Sequence, residues 1–132
     1  MSSVDIIKNF NSIIESFLLQ TSPLVGTTYV TFFKTIIKTN ALLPIECGIK
    51  YTLPYKDFVL NKDERYLADE TNYESAINNN TAFNPEQVMS EIFRVKDIYY
   101  KLDADSKENV WAILQALVQL MIEYCEIKGI VH

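Results

Sequence analysis

The sequence predicts an all-α fold: a single-domain helical bundle over residues 1–132, with a C-terminal antiparallel helix hairpin built around a central buried helix. Three stretches carry that prediction. From Asp105 to Lys128, apolar residues recur at Val110, Leu114, Leu117, Met121 and Tyr124, with a second row at Trp111, Val118, Ile122 and Cys125, a helical period rather than an alternating one. From Ser3 to about Gln20, the positions Ile6, Ile7, Phe10, Ile13, Ile14, Phe17 and Leu18 repeat at steps of three and four, as one helix face does. Asn84-Pro85-Glu86-Gln87 combines an N-cap, a proline at the first helical position and a capping-box glutamine.

In chain order, the opening helix carries Asp5, Lys8, Asn9, Asn11, Ser12 and Glu15 on its polar side. Thr21-Ser22-Pro23 is expected to end it, and Ser22-Pro23 can equally begin the next helix. Leu24 to Thr39 is rich in β-branched residues that lean towards strand. Tyr29, Phe32, Phe33, Ile36 and Ile37 nevertheless repeat at helical spacing without alternation, so a helix is expected there. Pro44, Gly48 and Pro54 then leave room only for short helical turns, Pro44 to Lys50 and Pro54 to Leu60. Asp63 to Ile77 can hold a further helix, and Asn78 to Thr81 reads as a polar loop.

After Asn84, Val88, Ile92, Val95, Tyr99 and Leu102 form one face, with Met89, Phe93 and Tyr100 on its shoulder. The short turn Asp103-Ala104 predicts that this helix and the next pack as an antiparallel pair. In the closing helix, Asp105 with Glu108 reads as a capping box. Lys128-Gly129 supplies the stop, a cation at the negative end of the dipole and a glycine able to turn left-handed. Gln115, Gln119, Glu123 and Glu126 form a narrow polar stripe expected to face outward. The helix would span roughly 35 Å. Its glutamines and glutamates interrupt the apolar run a membrane span needs, so no membrane is expected among the partners.

Composition narrows the function classes. The chain has 132 residues, 48% hydrophobic and 22% charged, the profile of one globular domain with a real core. Its net charge is −5 and its lysines are scattered, with no basic stripe to displace counterions from phosphates, so no nucleic acid is expected either. Cys47 and Cys125 lie far apart, and the N-terminus carries Asp5 and Lys8 where a signal peptide would be apolar. Free thiols and an intracellular location are the expectation.

Linear motifs for chemistry are absent. His132 is the last residue and the only histidine, a poor base for a nucleophile such as Cys47. Asp103, Asp105 and Lys107 begin like a calcium loop, but Lys107 and Glu108 stand where an oxygen ligand and a glycine are required. Zinc lacks ligand pairs, and the widely separated Gly26, Gly48 and Gly129 form no phosphate cradle. No cofactor, metal or catalytic residue is expected.

The stretch EIFRVKDIYYKLDADSKENVWAILQALVQLM, with its W-x-x-L-Q marks at Trp111, Leu114 and Gln115, is similar to the closing hairpin of small uncharacterised helical proteins of large nucleocytoplasmic DNA viruses. That resemblance implies an all-α fold and a viral setting, and brings no catalytic residue with it. The expected function is a non-enzymatic protein-interaction or assembly protein, such as a viral structural or adaptor component, cytoplasmic or virion-associated. The alternative is an enzyme whose site forms no linear motif. Tyrosine brings apolar area with a polar tip and suits interfaces. Tyr55, Phe58, Tyr66 and Tyr73, in the weakly patterned segment from Pro44 to Ile77, are therefore the candidate surface for a protein partner or for self-association.

Overall fold

The computed structural model describes residues 2–67, 84–95 and 98–131. Among these, the chain forms α1 (Ser3–Val25), α2 (Thr28–Thr39), α3 (Leu43–Tyr51), α4 (Lys56–Leu60), α5 (Pro85–Arg94) and α6 (Ala104–Lys128), with no strand. Single 3-10 turns occur at Leu53–Tyr55, Glu64–Tyr66 and Tyr99–Lys101. The all-α bundle is thus present, and the helical reading prevails over β-branched content in α2. Tyr29, Val30, Phe33 and Ile36 bury one face there, and that burial outweighs propensity differences of tenths of a kcal/mol per residue.

α1 runs past its expected end. Pro23 lies inside the helix and offers no N–H to the Leu19 carbonyl, but the Ser22 hydroxyl donates to that carbonyl at 2.8 Å. The side chain thereby replaces the bond that proline removes. The helix stops instead at Gly26, whose φ of 84° is left to glycine for steric reasons.

α5 begins as expected, with the Asn84 Oδ1 accepting from the Gln87 N–H at 3.2 Å. It ends earlier than its apolar pattern suggests. Val95 takes φ 49° and ψ 33°, a left-handed conformation costly for a β-branched residue, on the order of 1–2 kcal/mol. Its side chain is buried, and that burial offsets the strain. Tyr99 then sits in a 3-10 turn, and Tyr100 points outward with 66% of its surface exposed, where the pattern had placed it on a helix shoulder.

The cap of α6 also differs from expectation. Asp103 is the N-cap, its carboxylate accepting from the Ser106 N–H at 2.8 Å, while Asp105 stands in the first turn. Asp103→Ala is expected to cost about 1 kcal/mol and Asp105→Ala only a few tenths, measured by urea denaturation. At the other end the reading holds. Gly129 is left-handed at φ 67°, and the Ile130 N–H reaches back to the Cys125 carbonyl at 2.8 Å, the Schellman closure.

α6 is central, with α1, α3 and α4 as its main neighbours, while α5 packs chiefly on α3 and α2. The two C-terminal helices do not pack chiefly on each other as the short turn between them predicts; they contribute to one core, where Ile92 and Phe93 line the same small cavity as Val110, Leu114 and Leu117 of α6 and Ile14 and Phe17 of α1. Ala104–Lys128 is long and apolar enough to cross a membrane by length and composition, and half of its apolar stretch is buried inside the molecule. α3 approaches α6 closely at Gly48. A Cβ there would stand 2.5 Å from the Met121 Cε and 3.2 Å from the Phe93 Cζ, so an alanine would have to displace the end of the flexible Met121 side chain and press on the Phe93 ring.

Candidate functional site

The aromatic residues of the middle segment do not share one surface. Tyr66 is 1% exposed, which corrects its place in the candidate interface. Its hydroxyl donates to the Phe93 carbonyl at 2.9 Å and stands 2.9 Å from the Thr52 hydroxyl, which is left to act as the donor in that pair. Long-range polar pairing of this kind compensates the burial of both hydroxyls. Tyr55 remains 44% exposed and stacks on half-buried Phe58 with centroids 6.2 Å apart, and the Arg65 guanidinium lies 4.9 Å from the Phe58 ring. Tyr73 falls outside the described residues, as do most of the expected Asp63 to Ile77 helix and the Asn78 to Thr81 loop.

Arg94 organises this region, and the motif reading passed over it. It is buried at the end of α5, its guanidinium 4.9 Å from the Tyr55 ring centre and 4.5 Å from that of Tyr66. Nη2 donates to the Tyr51 carbonyl at 3.1 Å, and Nη1 lies 3.5 Å from the Tyr66 carbonyl. A planar, always charged fork can stack between two rings and bond at its edges simultaneously. The available signal was an arginine inside the apolar run Ile92-Phe93-Arg94-Val95.

A second polar chain links α6 to the 3-10 turns. Trp111 Nε1 donates to the Tyr99 hydroxyl at 3.1 Å, and that hydroxyl donates to the Glu64 carboxylate at 3.2 Å. Burial pushes the Tyr99 phenol up, the Trp111 N–H acting against that shift and Glu64 adding to it. The Lys107 ammonium lies over the Tyr99 and Tyr100 rings, at 5.2 and 5.7 Å.

The stripe on α6 is only partly a solvated edge. Gln115 is half-buried and its amide donates to the carbonyls of Val59 and Leu60, at 3.3 and 3.2 Å, satisfying the open end of α4. Gln119 and Glu126 are exposed as expected, and Glu123 is intermediate.

Gln119 borders an open groove of about 640 Å³ between α1 and α6. Ile13 and Phe17 from α1, with Ile113 and Leu120 from α6, supply its apolar lining. Ser12, Ser16 and Ala116 are small enough to leave the depression open, and Asn9, Gln20, Asn109 and Gln119 supply amides. Every residue named is uncharged. The groove arises because helical spacing on both α1 and α6 sets serine, alanine and amide side chains beside the buried stripe.

Cys47 and Cys125 are buried free thiols. Burial pushes the Cys47 thiol from its ordinary 9.0 up to about 11, with Glu86 adding to the shift and Lys50 opposing it, and burial raises Cys125 too. A raised thiol pKa favours folding below the unfolded value, and that contribution is lost as pH climbs towards the folded one. The native chain should therefore resist thiol reagents near neutral pH and release two reactive groups on denaturation. Its unfolding free energy should fall between about pH 9 and 11. Thiol counting and denaturation at stepped pH measure both.

These features define an all-α bundle with a neutral interhelical groove and a buried arginine–tyrosine clasp. Comparison of the chain with protein-family models, with curated proteins and with solved structures finds no match.

Proposed function

We propose that this protein is a non-enzymatic interaction or assembly component that works through protein–protein contact. The observation that supports this most is the groove between α1 and α6. Its lining combines aliphatic and aromatic surface with serine hydroxyls and carboxamides, side chains suited to burying apolar area and hydrogen bonding a partner. They lack the titratable groups that general acid–base chemistry requires. The exposed Tyr55 with Phe58 forms a second, smaller aromatic site of the kind that anchors partners. In the viral setting that the closing segment's resemblance implies, such a chain would serve as a minor virion component or an adaptor, which belongs to the same proposal.

The test is affinity capture of the intact chain from its native source, followed by mass spectrometry. It is run beside folded variants that place charge in the groove, Ser16→Glu and Ala116→Glu, and beside Tyr55→Ala. Specific proteins, or untagged copies of the chain itself, should be retained by the parent and lost with one class of variant. Retention of nothing, or of the same set by every variant, would reject the reading.

A further inference from the structure

We propose that Tyr99 and Tyr100 form a seat for an alkylammonium cation, occupied by the chain's own Lys107 until a ligand of that class displaces it. The seat is a corner with two walls. The rings stand perpendicular with centroids 5.2 Å apart, and the Lys107 ammonium lies 5.2 Å from the centre of the Tyr99 ring and 5.7 Å from that of Tyr100. Both fall within the ~6 Å over which a ring face attracts a cation. Trp111, buried and edge-on to Tyr99, fixes the inner wall, whereas the exposed Tyr100 leaves the outer wall open to solvent. None of these residues lines the groove between α1 and α6.

The first ground is that a cation already sits there. Among the described residues the Lys107 ammonium makes no ion pair, although acidic side chains are close in sequence. Asp103, one turn before it, accepts from the Ser106 N–H at 2.8 Å, and Glu108 pairs with Lys62 at 2.6 Å. Asp105, two residues back, does not share its side of the helix. The second ground is the electron density of the inner wall. The Tyr99 hydroxyl donates to the Glu64 carboxylate at 3.2 Å, and a phenol bonded to an anion is polarised so that its ring becomes richer in electrons. The Glu64 charge adds to the attraction.

The chemistry of the occupant sets the ligand class. The Lys107 ammonium has three N–H donors that the ring faces do not accept as a carbonyl or water would, so seating it costs hydration. An alkylated ammonium carries methyl groups in their place, loses less hydration and adds apolar contact with both rings while keeping its charge. It is the better occupant of the same corner. The chain's net charge of −5 draws such cations towards the surface. Their source is a methylated lysine of another protein or a free quaternary ammonium, and the recognition chemistry is the same for both.

The chain has a single tryptophan, and its indole N–H bonds to the Tyr99 hydroxyl, so the indole resonance in a proton–nitrogen NMR spectrum of the full chain reports on the seat. Tetramethylammonium and choline should shift it saturably, and 3,3-dimethylbutanol, the uncharged analogue of choline, should not. Lys107→Ala, which empties the corner, should lower the half-saturating concentration about tenfold, because the ligand no longer competes with a tethered cation. Tyr100→Ala should raise it at least fivefold while melting like the parent, with Tyr100→Leu as the second variant if alanine does not fold. A short basic peptide bearing one trimethyllysine, run beside its unmethylated form, separates the sources. Tighter binding of the methylated peptide than of choline assigns the seat to a protein partner, and the reverse order assigns it to a free ammonium. The proposal is overturned if no cation shifts the indole saturably in the parent or in Lys107→Ala. It is equally overturned if the uncharged analogue binds as well, or if Lys107→Ala leaves the affinity unchanged, since Lys107 would then only seal the aromatic cluster.

Discussion

Trp111→Ala lowers the unfolding free energy by about 3–5 kcal/mol, the range for removing a large side chain from a packed interior. Trp111 is 3% exposed, meets Tyr99 edge-on with centroids 5.8 Å apart and donates its only N–H to the Tyr99 hydroxyl. Truncation opens a cavity and removes the donor, although Tyr99 keeps Glu64 as its acceptor. Trp111→Phe preserves much of the area and should cost substantially less, about 1–2 kcal/mol. Chemical denaturation with unchanged m-values would establish both figures. An alanine variant within about 1 kcal/mol of the parent would show that the indole contributes little to the core.

Arg94→Ala is expected to cost about 2–4 kcal/mol. It leaves the Tyr51 carbonyl without a charged donor and opens the gap between the Tyr55 and Tyr66 rings, while the desolvation cost of the charge is recovered. The informative comparison is Arg94→Lys. Lysine keeps the charge but has no planar fork to lie between two rings while bonding carbonyls at its edge, so it should lose more than half of what alanine loses. Thermal melting and urea denaturation give the ordering. A lysine variant as stable as the parent would mean that charge alone holds the clasp. Fluorescence or hydrogen exchange over residues 51–67 would add a local readout, since the clasp ties that segment to α5.

Much of the secondary structure was legible from local patterns because its causes are local. Periodicity at threes and fours marked α1, α2, α5 and α6, and the side chain of Asn84 and the backbone freedom of Gly129 act within one helical turn. Where a local rule misled, another nearby group had taken over its role. Ser22 supplies the bond that Pro23 cannot, and Asp103 reaches the first turn of α6 before Asp105 can.

The direction of side chains on short elements, and hence the candidate site, was not legible in this way. A single turn such as Glu64–Tyr66 has no periodicity from which to read an inward face. Tyr66 is turned inward by Thr52 and Phe93, 14 and 27 residues away in sequence, so its tyrosine could be read as surface until those partners were placed. Gln115 likewise resembles any solvated glutamine until the end of α4 comes within reach. Charge, length and helical period belong to the sequence by itself. The clasp around Arg94 and the neutral groove between α1 and α6 come from tertiary structure, because each joins groups whose proximity is set by packing rather than by spacing along the chain.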